Sequence, residues 1–149
     1  MILVAGPCVI EGYDTLKMTA EYLCNAIEGK DIDFYFKASC IKDNRTDIKN
    51  YNGVGMDNGI NMLLDIKKEF DIKITTDFHN ENDIFRYGGF VELIQIPAYL
   101  AQQTSLAKTA AQMHKPIHIK KPQFLGPVEA SQPIQKLKDF GCKVIISHF

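Results

Sequence analysis

The chain has 149 residues, 46% of them hydrophobic and 23% charged, with a formal net charge of -1. That is long enough for one domain with a real core. It excludes a global basic field for nucleic acid and an acidic tail, so any anion site must be local and built from clustered Lys and Arg.

Met1–Ile10 is apolar, stops at a Gly6-Pro7-Cys8 turn and meets Glu11 at once. It reads as a first strand, too short for a membrane span and lacking the basic flank of a signal peptide. Asp14 is placed to cap a helix whose Leu16, Ala20, Leu23 and Ile27 share one face, with Gly29 ending it. Asp33–Ser39 is aromatic and β-prone, and residues 42–55 are polar with Asn and Gly, a long loop. Met56, Ile60, Leu63 and Phe70 make the next helical stripe, and Lys73–His79 a third strand.

Asn80 can cap a short helix ending at Gly88-Gly89, and Glu92–Ala98 is a fourth strand. Thr104–Met113 is helical, and Pro116–Lys121 a fifth strand. Pro133 suits the first turn of a last helix stopped by Gly141, and Lys143–Phe149 is a sixth strand. No linker or low-complexity tract interrupts this, so residues 1–149 form one α/β domain of parallel strands with right-handed crossovers. Periodicity alone allows an open doubly wound sheet or a barrel, and a full barrel takes eight strands and about 250 residues.

The four cysteines, Cys8, Cys24, Cys40 and Cys142, are widely spaced with no CxxC pair, which is neither a disulfide framework nor a zinc ribbon. The expectation is a cytoplasmic protein with reduced thiols and no nucleic-acid or membrane partner. Cys24 and Cys142 fall on packing faces. Cys40 has no visible partner.

Polar residues collect at or after the C-terminal ends of the strands. Cys8 follows the first strand; Lys37, Ser39, Lys42, Asn44 and Arg45 follow the second. Asp77 and His79 close the third, Gln95 is late in the fourth, and Lys120 and Lys121 close the fifth. In a barrel that edge is one rim where active sites form; in an open sheet it is a crevice at the switch point. Crowded cations repel, and a bound polyanion removes that cost, so phosphate and carboxylate are the natural ligands. The plainer reading is solvated side chains at strand ends. Cys8 is by default a small buried hydrophobe. As a metal ligand it needs partners, His79 being one by position. His114, His118 and His148 carry no motif, and Asn52–Gly55 lacks the Lys-Ser of a phosphate loop.

AGPCVIE at Ala5–Glu11, FKASCIKDNRT at Phe36–Thr46, YNGVG at Tyr51–Gly55, TDFH at Thr76–His79, QIPAYLAQQT at Gln95–Thr104 and IKKPQFLGP at Ile119–Pro127 follow one another in register. In this order they resemble the 3-deoxy-8-phosphooctulonate synthases. The related shikimate-pathway synthases share the opening motif and have a KPRT-type segment where this chain has KDNRT.

The resemblance implies a TIM-type (β/α) barrel, here incomplete with about six of eight strand–helix units. It implies a transferase that joins phosphoenolpyruvate to arabinose 5-phosphate, for the KDO sugar of lipopolysaccharide. Lys37, Lys42 and Lys120 would hold the phosphate and carboxylate of phosphoenolpyruvate, with Lys42 and Lys120 the catalytic pair. Asn44, Arg45 and Thr46 would hold the sugar phosphate. Ser39 and Gln95 complete the expected substrate-binding set. Cys8 stands where the metal-requiring branch has a ligand to a divalent metal, whose other ligands the resemblance places beyond this chain. A homotetramer is implied by the same analogy.

Departures accompany the likeness: Gln102 stands for an Arg that reaches a neighbouring subunit's sugar phosphate, Asn52 and Val54 for an Arg and a Pro, and Asn80 for a Glu. After Ile146 the family continues with Cys, an acidic residue, Arg and Gly, whereas this chain reads Ser147, His148, Phe149. That change inside a motif leads us to expect a truncated chain. A non-catalytic remnant that still binds phosphate compounds is the alternative.

Overall fold

A computed structural model describes residues 1–147. The chain divides into two compact units, Met1–Thr76 and Asp77–Phe149.

In the first unit, β1 (Ile2–Ala5), α1 (Tyr13–Ile27), β2 (Asp33–Lys37), α2 (Met56–Phe70) and β3 (Lys73–Asp77) follow in turn. β1 and β3 flank β2, all parallel, with Ala5 opposite Phe36 and Lys37 opposite Thr75. β2 is buried through Phe34, Tyr35 and Phe36, with Phe34 and Phe36 meeting edge to face at 6.5 Å, while Lys37 at its end is only half-buried. α2 buries Met56, Ile60, Leu63 and Ile66, the stripe a 3.6-residue repeat requires. It ends on Asp71, whose left-handed φ of 51° lets its N–H return to the Lys67 carbonyl.

Two expectations shift here. β1 is shorter than Met1–Ile10 because the chain leaves the ladder at Gly6. A Cβ there would stand 2.1 Å from the Lys37 carbonyl oxygen, and Pro7 has no N–H to give. Only Val9 rejoins, as an isolated bridge to Ser39. Asp14 is not the cap of α1. The helix starts two residues earlier, with Gly12 at the cap, and Asp14 sits in its first turn, where a carboxylate complements the helix dipole.

The second unit runs α3 (Glu81–Tyr87), β4 (Leu93–Ile96), α4 (Thr104–Gln112), β5 (Ile117–Lys120), α5 (Ser131–Asp139) and β6 (Val144–Ser147). Here β5 lies between β4 and β6, parallel to both. Ile94, Ile96, Ile117 and Ile119 are all buried on one face of β4 and β5. Asn80 caps α3 as expected, its side-chain oxygen accepting the Asp83 N–H at 2.8 Å. Pro133 is in the first turn of α5, and Gly141 follows it with φ 81°. The sixth strand is described to Ser147; residues 148 and 149 lie outside the described residues.

Strand order therefore follows chain order within each unit, every neighbour is parallel, and a helix separates each pair. A doubly wound sheet reverses direction at a switch point, and neither unit does so. The fold is α/β, an incomplete TIM-type (β/α) barrel, with six strands among the described residues where a full barrel has eight.

Candidate functional site

In the first unit the strands deliver their polar residues to the loops that follow them. β2 ends on Lys37, whose Nζ donates to the buried Ser39 hydroxyl at 2.6 Å. The backbone N–H of Cys40 is held by the Thr76 hydroxyl at 3.2 Å, and the Thr76 hydroxyl in turn donates to the Cys40 thiol at 3.5 Å. Cys40, for which the sequence suggested no partner, is thus a fully buried anchor at the start of the long loop.

From Cys40 the chain enters residues 42–55 as the expected loop. Ile41 bridges antiparallel to Gly53, and the Lys42 N–H donates to the Asn52 carbonyl at 2.6 Å. The Arg45 Nε donates to the Tyr51 carbonyl at 3.1 Å, and the Tyr51 hydroxyl donates to the Ile10 carbonyl at 2.9 Å. Gly53, at φ 119°, passes so close that a Cβ would lie 2.2 Å from the Cys40 carbonyl oxygen, and only glycine permits that crossing. An Asx turn at Asp47, whose carboxylate accepts the Lys49 N–H at 2.9 Å, closes the tip.

This loop encloses a cleft of about 340 Å³ lined by Lys42, Asp43, Arg45, Thr46, Asp47, Ile48, Asn50 and Asn52. Three expected residues, Lys42, Arg45 and Thr46, line it together. Asn44 is exposed in the same loop and is not part of the lining. The signal for the unforeseen members was faint. Asp43, Asp47 and Asn50 read as ordinary loop polars, and nothing local marked Tyr51 as an anchor to Ile10.

Cys8 is exposed after β1, and its thiol accepts a hydrogen bond from the Lys42 ammonium. That bond, helped by the Lys42, Lys37 and Arg45 charges, holds the thiol below its ordinary range against the opposing effect of partial burial. One thiol therefore feels three cations, which places Lys37, Lys42 and Arg45 in a common electrostatic neighbourhood. Cys24 and Cys142, by contrast, are half-buried and pushed upward by desolvation, in keeping with a packing role.

A metal finds little here. Among the described residues no group of three or more His, Cys, Asp or Glu side chains could hold an ion, and the Cys8 thiol faces an ammonium. The described residues do not make a metal centre by themselves; Cys8 is one donor of the kind such a centre uses.

In the second unit Gln95 on β4 is buried, and its carbonyl accepts the Phe78 N–H at 3.0 Å. Gln95 is in register with the buried His118 of β5, and Lys120, two residues on, belongs to the same face of that strand. Lys120 is half-buried at the strand end. His79 Nε2 lies 3.4 Å from the Asp77 carboxylate. Among the described residues no helix is long and apolar enough to cross a membrane.

Known proteins share this arrangement of sequence. Among those named 2-dehydro-3-deoxyphosphooctonate aldolase, the Wolinella succinogenes protein is 43% identical over 136 residues, 91% of this chain and 52% of its own length. The Campylobacter jejuni protein is 42% identical over 92% of this chain and 51% of its own. The Rickettsia canadensis protein is 41% identical over 97% of this chain and 53% of its own. The chain spans about half the length of the curated relatives it matches. The family model described as the DAHP synthetase I family matches residues 1–149. With parallel strands in chain order and cations gathered at a strand end, that match makes this chain a member of the DAHP synthetase I family.

Proposed function

We propose that this chain carries the substrate-holding machinery of a 3-deoxy-8-phosphooctulonate synthase, a transferase that condenses phosphoenolpyruvate with D-arabinose 5-phosphate. Carbon 3 of the enol adds to the sugar aldehyde and water attacks carbon 2. Phosphate then leaves by C–O cleavage, giving 3-deoxy-D-manno-octulosonate 8-phosphate for lipopolysaccharide KDO biosynthesis. The observation that carries the reading is the cleft shared by Lys42, Arg45 and Thr46. The relatives' name, 2-dehydro-3-deoxyphosphooctonate aldolase, supports the same substrate class.

In this reading Lys37, Lys42 and Lys120 neutralise the phosphate and carboxylate of the enol ester, and Asn44, Arg45 and Thr46 grip the sugar phosphate. Ser39 orients Lys37 through its hydroxyl, and Gln95 offers its amide to the bound substrate. Two substrates that repel each other as anions are thereby held at reacting distance, which is where most of the rate gain from such a site arises. Lys42 and Lys120 are the residues assigned to the reacting enol ester. A divalent metal at Cys8, when bound with donors from outside the described residues, would supply Lewis-acid chemistry. A cytoplasmic homo-oligomer, a tetramer by analogy, belongs to the same proposal.

The test is phosphate release from phosphoenolpyruvate, measured with the purified chain, with and without arabinose 5-phosphate. Release that requires the sugar phosphate and is abolished by Lys42→Ala supports the synthase. A second reading is a non-catalytic domain that retains phosphate binding. Binding of phosphoenolpyruvate without release would select it, and the absence of both would remove the two readings together.

A further inference from the structure

We propose that Tyr51 is a positioning residue for the anion cleft, strapping the 42–50 loop so that Lys42 and Arg45 are held ready for a phosphate dianion. The inference rests on the anion-site reading above and adds the residue that organises the site without itself touching ligand.

Residues 43–52 are all exposed, so apolar burial does not fix this stretch. Hydrogen bonds must do so. The Tyr51 hydroxyl reaches back 41 residues to the carbonyl of Ile10, which is fully buried and therefore a rigid anchor. From that fixed point the main chain acts in two directions. The Tyr51 carbonyl takes the Arg45 Nε–H at 3.1 Å, and the Asn52 carbonyl takes the Lys42 N–H at 2.6 Å. The Ile41–Gly53 bridge extends the same pairing by one residue.

The consequence for Arg45 is specific. An exposed arginine samples many rotamers and loses that freedom when it binds. With Nε committed to a carbonyl, the guanidinium plane is set before ligand arrives. The two terminal amino groups then remain for the bidentate contact a phosphate favours. Lys42 is held at its own backbone by Asn52 and at its ammonium by Cys8.

The experiment uses the 149-residue chain with inorganic phosphate as the probe, in wild type, Tyr51→Phe, Arg45→Ala and the double variant. The Arg45 Nε–H signal is followed by NMR without ligand, and melting temperature is recorded throughout. Tyr51→Phe keeps the ring and removes one hydroxyl. We expect it to abolish the protection of the Arg45 Nε–H and to weaken phosphate binding roughly 2- to 12-fold. The double variant should lose less than the sum of the two single losses, because part of the strap's effect acts through Arg45.

An Arg45 Nε–H that stays protected in Tyr51→Phe overturns the strap. Additive losses that track a lowered melting temperature make Tyr51 merely structural and overturn it too. Should Arg45→Ala itself leave phosphate binding unchanged, the anion-site reading fails first and the positioning role falls with it. That case is recognised because the Arg45→Ala arm alone is silent.

Discussion

The Lys42 ammonium donates to the Cys8 thiol across 34 residues of sequence, joining the end of β1 to the loop after β2. Neither residue is deeply buried, yet Lys37 and Arg45 act on the same sulfur. The thiol thus reports on the cation cluster from inside it.

Cys8 should therefore ionise below Cys24 and Cys142, whose burial pushes them the other way. Rates of alkylation against pH, read by peptide mass mapping, should show Cys8 reacting at the lowest pH. Lys42→Met should move its midpoint upward, since it removes the first cause of the shift. The folded thiol is the stronger acid, so the stability gained from the thiolate–Lys42 pair is full above the unfolded thiol's pKa. It is lost as pH falls through the lower, folded value. An unchanged midpoint in Lys42→Met would count against the pair.

Arg45→Ala and Lys42→Ala should each weaken binding of phosphate compounds by about 1.5–3 kcal/mol, the range for a hydrogen bond to a charged group. Isothermal titration of phosphoenolpyruvate and arabinose 5-phosphate would measure this. The cleft is open to solvent, so affinity should also fall as salt rises. Wild-type affinity that is insensitive to both substitutions and to salt contradicts an anion site.

Thr76→Val should cost about 1–3 kcal/mol in denaturant unfolding, because it leaves the Cys40 N–H without its hydroxyl acceptor in a fully buried place. The damage should reach the site, since Cys40 is where the long loop departs. Faster proteolysis within residues 42–55 is the local readout.

Asn80→Ala removes the cap that accepts the Asp83 N–H. A loss of about 1 kcal/mol is expected, and thermal melts followed by circular dichroism would register it. The cleft lies in the first unit, so phosphate affinity should not change.

Much of this was legible because it is written locally. The Met56–Phe70 stripe, the Asn80 cap and the strand-end placement of Lys37 and Lys120 follow from spacing and from neighbours a few residues away. What escaped is written at long range. Cys40 finds Thr76 36 residues on, and Tyr51 finds Ile10 41 residues back. No periodicity encodes such pairs. Asp14 misled for a different reason: an acidic residue suits both the cap and the first turn, and the choice depended on the helix beginning two residues earlier, at Tyr13. The length of β1 was set by how closely Gly6 passes Lys37, a tertiary fact.

The 51–53 segment divides its duties between side chain and main chain. Position 51 needs a phenol and position 53 tolerates no Cβ, whereas position 52 contributes only a carbonyl, which every amino acid possesses. Evolution is thus free to exchange the residue at 52 and so to retune what the cleft wall presents, without refolding the turn that carries it.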